Sequence, residues 1–298
     1  MNIAITGATG FLGRYIVNHL LVRGHHCRCW FRPGRSDQGG FDASASDRLD
    51  WVPGGLGHQV SATALVQGAD AVVHVALEHQ GGFRGGEGDL VEFVEANVLG
   101  TIKLIQAARQ ARVGRFIFIS TCAVHEVVLD DRPLDEAHPL WSTSHYGAHK
   151  AAIEKFVHSF GLGEKYDICS LRPTGIYGLA RPVSESRWHG LVQQVKAGKP
   201  ITSRRGGKEV HAADVARAVE ILLTANGIAG QCYNCYDMYI SDEHVARIAK
   251  ELTGSNSEIS NLNQGPRHQI VTDKLRALGM TFGGEKLLRE TVRQMLEA

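Results

Sequence analysis

The apolar residues of this chain switch repeatedly between strand rhythm and helix rhythm. Asn2-Ile3-Ala4-Ile5-Thr6 is an apolar run of strand length that stops at Gly7. Apolar positions then recur at 16, 17, 20 and 21, one face of a helix that ends at Gly24. His26-Cys27-Arg28-Cys29-Trp30-Phe31 reads as a second strand before the turn Arg32-Pro33-Gly34-Arg35. Residues 47–52 suggest a short third strand and 60–67 a short helix. Ala71-Val72-Val73-His74-Val75-Ala76 is a continuous apolar run, the signature of a strand buried on both faces. An amphipathic pattern from Leu90 to Ala111 predicts a long helix, followed by a strand at 116–121. Residues 146–160 read as a helix, 168–178 as a strand with its tail, and 231–234 as a late strand. Strands alternating with helices imply the α/β class, with a doubly wound parallel sheet.

The turn between the first strand and the first helix carries candidate chemistry. Its glycines, Gly7, Gly10 and Gly13, follow G-x-x-G-x-x-G spacing. A glycine can take a tight turn, let backbone approach a pyrophosphate, and let the helix pack close to the strand. Phosphates would sit at the helix N-terminus, where free N–H groups and the positive end of the dipole point outward. Gly7, Thr9, Gly10, Phe11, Leu12 and Gly13 are therefore the candidate phosphate-binding residues. The same turn without a ligand is the alternative. At the tip of the second strand an acid would accept from the ribose of NAD, whereas arginine suits the 2′-phosphate of NADP. Arg32 and Arg35 stand there and the nearest acid is Asp37, so NADP is expected, with NAD as the alternative.

Composition narrows the classes. The chain has 298 residues, 43% of them hydrophobic, enough for a sizeable core. Its net charge of +1 gives no electrostatic reason to expect nucleic acid or a membrane surface as partner. No apolar run reaches the ~18 residues of a membrane span. Met1 leads straight into the first strand with no signal-peptide core, so a cytoplasmic protein is expected. Six cysteines lie mostly in apolar runs, as reduced buried thiols do. Cys232 and Cys235, three apart on a strand, point to opposite faces and make no metal site.

Tyr146 and Lys150, four apart on a helix, share a face. An ammonium near a phenol stabilises the phenolate, so this pair can move a proton near neutral pH. Tyr146-Gly147-Ala148-His149-Lys150, taken with Gly7-Ala8-Thr9-Gly10-Phe11-Leu12-Gly13, resembles the short-chain dehydrogenase/reductase superfamily, and more narrowly its extended branch, the NAD-dependent epimerase/dehydratases. The resemblance covers residues 1–225 well and is looser beyond.

What the resemblance implies is specific. The fold would be a Rossmann-like sheet over 1–177, rejoined by 213–234, with a smaller C-terminal substrate-binding region from 178–212 and 235–298. Thr121, at the end of the fifth strand, would hold the substrate oxygen that Tyr146 protonates or deprotonates. Lys150 would also reach the cofactor ribose, and Ser120 is the neighbouring candidate. Hydride would pass between a substrate carbon and the nicotinamide. Leu56 closes the stretch that meets the adenine, where Gly55 replaces the family's acid. Val75 and Ala76 match the family's His-x-Ala segment beside the cofactor. Asn97-Val98-Leu99-Gly100-Thr101 matches its Asn-x-x-Gly-Thr, whose asparagine supports backbone near the active site. Pro173 and the next residues, in Leu171-Arg172-Pro173-Thr174, would pass the carboxamide. His211 and Asp214 would organise the start of a helix, with Asp214 well placed as its cap. The substrate region holds Arg181, Arg187, Arg204 and Arg205 with Trp188 and His189. These could clamp a diphosphate or form a solvated basic surface. The glycine-rich stretch 81–88 is either a flap near the substrate or a plain loop.

Dehydratases of this family carry Thr-Asp-Glu where this chain has Thr121-Cys122-Ala123, so dehydration is not expected. Epimerisation or reduction of a hydroxyl or ketone carbon on a sugar or nucleotide-sugar is the leading expectation. The alternatives are an NADPH-dependent aldehyde/ketone reductase and a non-catalytic NADP-sensing regulator. Cys122 is expected to pack, while His125 and His145 are open. The family's habit of pairing two long helices suggests a homodimer.

Overall fold

A computed structural model describes residues 1–34, 37–41, 43–81 and 85–298. Arg35 and part of the glycine-rich stretch lie outside the described residues.

In chain order the first half runs β1 (Asn2–Thr6), α1 (Phe11–Val22), β2 (His26–Phe31), β3 (Leu49–Pro53), α2 (Gln59–Val66), β4 (Ala71–His74), α3 (Leu90–Val94), α4 (Gly100–Gln110) and β5 (Arg115–Ile119). The second half runs α5 (His145–His158), β6 (Ile168–Pro173), β7 (Gly175–Tyr177), α6 (His189–Lys196), β8 (Gly206–His211), α7 (Ala212–Thr224), β9 (Gln231–Cys235), β10 (Met238–Ser241), α8 (Asp242–Thr253), α9 (Asp273–Ala277) and α10 (Gly284–Glu297).

The main sheet has seven strands in the order β3-β2-β1-β4-β5-β6-β9. Every pairing in it is parallel. From β1 the chain steps outward to β3 and then returns to β4 on the other side of β1. The crossovers leaving β1 and β4 therefore run in opposite directions along the sheet, and a crevice opens at the carboxyl edge where the order switches. This is a Rossmann-like doubly wound fold. On one face, Ile16, Leu20, Val215 and Val219 from α1 and α7 close the core against Ile5, Val73 and Ile117. On the other face, Leu65, Leu104, Ile105, Ile153 and Val157 close it against Val72, Phe116 and Phe118.

A second sheet, β10-β8-β7, joins the carboxyl edge. A third cluster, around Tyr177, Ile240, Val245, Leu288 and Val292, packs α6, α8 and α10 beside it. Among the described residues no helix is long and apolar enough to cross a membrane.

Two elements differ from the sequence expectation. The run 168–178 is not one strand with a tail. It breaks at Thr174, whose N–H donates to Cys235 O at 3.1 Å, and β7 then joins the second sheet. Pro173 has no N–H to continue the ladder, so the chain can change sheets there. The run 90–111 is helical throughout, but Glu95–Leu99 forms a π-helical turn. There Asn97 Nδ2 donates to Phe93 O at 2.9 Å, and the Thr101 hydroxyl donates to Asn97 O. Those carbonyls are the ones an α-helix would give to the N–H groups of residues 97 and 101, so the side chains compete with the regular ladder.

Candidate active site

The crevice is built from strand ends. Gly7 takes φ +70°, and a Cβ there would stand 2.7 Å from Ala76 N. The loops after β1 and β4 are thus pressed together, and only glycine fits. A Cβ on Gly13 would collide with the Gly7 carbonyl, so α1 lies directly on the turn. Gly10 caps α1 with no side-chain hydrogen bond, which leaves the first-turn N–H groups pointing out of the helix end.

A buried relay fixes the loop after β4. Thr6 Oγ1 accepts from Val75 N and Ala76 N, both at 3.1 Å. Its own proton therefore goes to His74 Nδ1 at 2.6 Å. His74 Nε2–H then donates to Thr101 Oγ1 at 2.8 Å, since that hydroxyl already donates to Asn97 O. Burial pushes His74 down to about 3, with Lys150 and His149 adding to the shift, so the ring is neutral. Asn97 continues the relay: its Oδ1 accepts from Glu78 N at 2.8 Å and its Nδ2 donates to Glu78 O at 2.9 Å. The Glu78 carboxylate in turn accepts from Arg32 Nη1 at 2.6 Å, which ties the tip of β2 to the loop after β4. Leu56 is half-buried against the core beside Gly100. The sequence reading missed Thr6 and His74 as parts of this scaffold. A histidine inside a continuous apolar run was the available signal.

At the end of β5 the buried Lys150, the turn that holds Thr121 and the first turn of α5 come together. Lys150 Nζ donates to Ile119 O at 2.8 Å and lies 4.6 Å over the Phe118 ring. Burial lowers its ammonium to about 7. Thr121 begins the 3-10 turn Cys122–Val124, its hydroxyl accepting from Ala123 N at 3.1 Å. The first turn of α5 presses on that same turn, since a Cβ on Gly147 would stand 2.7 Å from Ala123 O. Tyr146 is half-buried one helical turn before Lys150, its ring 5.4 Å from that of His149. The start of α5 is set by Ser144, whose hydroxyl accepts from Gly147 N at 3.1 Å and whose N–H donates to Glu126 at 2.8 Å. Ser144 and Glu126 were also missed. A serine before a helix was a readable cap, but its distant acid was not.

Beneath lies a buried ion pair. Arg172 donates to both oxygens of Glu154, at 2.9 and 2.6 Å, and through Nη1 to Glu136 O at 3.1 Å. Arg172 Nη1 also lies 3.1 Å from His125 Nε2, which accepts, while His125 Nδ1–H donates to Pro139 O at 3.1 Å. His125 is therefore a structural histidine, held neutral by burial and by the arginine. His145 is exposed. Cys122 Sγ donates to Arg172 O at 2.9 Å, and burial raises its thiol to about 12. Both residues expected at the start of α7 stand there, and the histidine takes the cap. The cap is His211, whose Nδ1 accepts from Ala213 N at 3.0 Å. Asp214 lies inside the first turn, pairs with Arg217 and accepts from Gly283 N at 2.9 Å.

The family model described as NAD dependent epimerase/dehydratase family matches residues 3–235. The chain belongs to this family. The human dTDP-D-glucose 4,6-dehydratase is 30% identical over 206 residues, 63% of this chain and 57% of the dehydratase. The chain thus spans less than two thirds of that relative's length. The 4-hydroxy-2-methyl-3-oxo-4-farnesyl-3,4-dihydroquinoline-1-oxide ketoreductase of Stigmatella aurantiaca is 28% identical over 279 residues, 88% of this chain and 76% of its own. The solved UDP-glucose 4-epimerase of Thermus thermophilus, in complex with NAD, has a TM-score of 0.77 at 24% identity and covers 100% of both chains. That likeness is one of fold.

The family's dinucleotide fits the crevice. The glycine turn and uncapped α1 suit a pyrophosphate. Ser120 Oγ and Thr174 Oγ1 are buried at the ends of β5 and β6 with no hydrogen-bond partner among the described residues. Such orphans are rare unless a ligand satisfies them. Pro173 and Thr174 lie where β6 ends, in the stretch that the resemblance places along the carboxamide.

Beside the second sheet is a cavity of about 540 Å³ lined by Arg187, Trp188, Arg204, Arg205 and Asp242, among others. Arg181 is not part of it. Its guanidinium lies 3.7 Å from Asp37, beside the loop after β2. His189 stands instead at the first residue of α6.

Proposed function

We propose that the protein is an NAD(P)-dependent oxidoreductase acting at a hydroxyl or ketone carbon of a sugar or nucleotide-sugar, by epimerisation or reduction. The observation that carries this reading is the meeting of Thr121, the first turns of α5 and the buried Lys150 at the end of β5. Bound in the crevice, the dinucleotide would supply the hydride acceptor or donor. Thr121 holds the reacting oxygen, and Tyr146 moves its proton. Lys150, anchored on Ile119 O, places under the site an ammonium that burial lowers to about 7, so its charge is full only below neutral pH. The cavity with Arg187, Arg204 and Arg205 suits the diphosphate of a nucleotide-sugar, because guanidinium groups pair with phosphate through two parallel bonds. Dehydration is disfavoured because Cys122 and Ala123 stand where elimination would need acids, and Cys122 donates to Arg172 O as a neutral thiol.

NADP is the proposed cofactor, on the strength of Arg32 at the tip of β2. Arg32→Ala is expected to raise the KM for NADPH about tenfold more than that for NADH, the difference being the loss of one phosphate contact and any rise shared by both the loss of the tie to Glu78.

Two other readings remain. A reductase of a small non-sugar carbonyl is favoured by the ketoreductase likeness, which spans more of this chain than that of the dehydratase. A non-catalytic NADP sensor would not need Tyr146. Turnover of a carbonyl panel with NADPH, followed by Tyr146→Phe, separates catalyst from sensor. The variant is expected to lose about a hundredfold or more in kcat, the usual scale of a lost proton-transfer group. Undiminished turnover would remove Tyr146 from the mechanism. Mass spectrometry of the co-purified nucleotide separates the reactions: a retained oxidised dinucleotide points to epimerisation.

A further inference from the structure

The arginine-lined cavity has an acid behind it. Glu209 on β8 is 1% exposed, and carboxylates are seldom so buried without a partner. Its partner is Arg187, whose Nη1 donates to it at 2.7 Å. Two glycines make room for it: Gly175, opposite in register on β7, and Gly207 on β8. A Cβ on either would collide with the carboxylate. Arg187 itself is 44% exposed, stacks 5.0 Å over Trp188 and lines the cavity with Arg204 and Arg205.

The other groups around Glu209 give it little support as an anion. Asp242, at the start of α8, adds like charge, though it accepts from Trp188 Nε1 at 3.1 Å and Ser203 Oγ at 2.7 Å. Tyr177 on β7 is a buried neutral phenol, and His211 on β8 is held neutral by burial. Asp237, before β10, is within electrostatic reach of the same Tyr177 phenol and is raised by burial. Lys208, next in the strand, projects from the opposite face and senses Cys122 instead. Burial raises the Glu209 carboxyl to about 7 against the lowering pull of Arg187.

We propose that Glu209 is the specificity-determining residue of this cavity: a diphosphate ester that engages Arg187 is accepted together with one proton, taken from solvent onto the Glu209 carboxylate. The ligand and Glu209 compete for one guanidinium, and sharing it with a second anion raises the affinity of the buried carboxylate for a proton. Protonated, Glu209 still accepts from Arg187, and Asp242 stays engaged by Trp188 and Ser203, so the three arginines meet the diphosphate without the charge of Glu209. The inference rests on reading the cavity as the anion site of the substrate.

UDP-glucose is a suitable probe, because neither of its phosphates titrates between pH 6 and 8. By calorimetry, wild-type Kd is expected to rise about tenfold from pH 6 to pH 8, the limit for one linked proton with a midpoint near 7. Comparing buffers of different ionisation enthalpy at pH 8 should show close to one proton taken up. Glu209→Gln keeps an acceptor for Arg187, and should bind at pH 8 as tightly as wild type does at pH 6, with no uptake. Should that variant fail to fold, the wild-type proton count decides alone. Binding with no proton uptake overturns the role of Glu209 and leaves the anion site standing. No binding by either protein at any pH overturns both.

Discussion

His74 shows how much one residue of this site is asked to do while staying uncharged. It receives a proton from Thr6 and gives one to Thr101, and both partners are buried with it. Charging the ring would leave Nδ1–H facing a hydroxyl already bound to two N–H groups. Its folded pKa is near 3, against about 6.5 unfolded. His125, near 4, His149, near 3, and His211, near 4, are lowered in the same direction, with burial the first cause in each. Between those values and 6.5 the unfolded chain binds more protons than the folded one. Stability is therefore expected to fall as pH drops below 6.5, by at most about 1.4 kcal/mol per pH unit for each histidine. Glu209 acts oppositely, since a raised carboxyl pKa favours the fold as pH falls from about 7, and Glu136 and Asp237 are raised in the same direction, but His25 and His158 join the four histidines on the other side. Thermal melts from pH 7.5 to pH 4.5 test this, with a Tm that holds level to pH 4.5 as the contrary result.

At the scale of elements, the π-helical turn at Glu95–Leu99 is the feature with a consequence for binding. Asn97 is buried there and makes three hydrogen bonds, two of them to the backbone of Glu78. Asn97→Ala leaves Glu78 N–H and C=O without these partners and frees Phe93 O for a regular α-helical bond. The expected cost is about 1–3 kcal/mol of stability, the range for a buried polar group left unmade. The loop that carries Ala76 and Glu78 should also lose its position, raising the KM for the dinucleotide more than it lowers kcat. Urea melts and steady-state kinetics check the two parts; an unchanged KM would detach this turn from the cofactor site. The helix around Asn97 was legible in sequence because its apolar face repeats at helical spacing, and Asn97 stood out as a poor helix former. The π turn was not, because it depends on which carbonyl each side chain reaches. The same limit explains other differences. Gly7, Gly10 and Gly13 announce a tight strand-to-helix turn by spacing alone. Arg172 and Glu154 are eighteen residues apart and meet only once β6 lies against α5. Arg181 and Arg187 are near neighbours in sequence, yet the chain between them carries one to Asp37 and the other to Glu209. The shift of β7 into the second sheet is likewise a tertiary decision, made where Pro173 ends a ladder.

For the whole molecule, the surface that most needs an explanation is carried by α3 and the π turn, and by the later part of α5. Leu90, Val91, Val94 and Leu99 are exposed there, as are Phe156 on α5 and Leu162 just beyond it. Apolar side chains scattered singly need no account, but a set gathered on two adjacent long helices does. The inner faces of the same helices are packed on the main sheet through Leu104, Ile105, Ile153 and Val157, so the outward residues have no remaining role within the chain. We infer that this face pairs with its copy in a homodimer, where two helices from each chain bury one another. A two-fold contact places the same patch on both sides, which an apolar surface satisfies without charge matching. About 800 Å² on each chain is the area a stable interface of this kind needs, and two helices of this length can supply it. Light scattering should then give twice the chain mass of 32.5 kDa at micromolar concentration. Val91→Glu with Phe156→Glu should give the single-chain mass while leaving the buried faces, and so the far-ultraviolet circular dichroism, unchanged. A wild-type protein of single-chain mass would show that these side chains stay in water, and the pairing of the helices would be withdrawn.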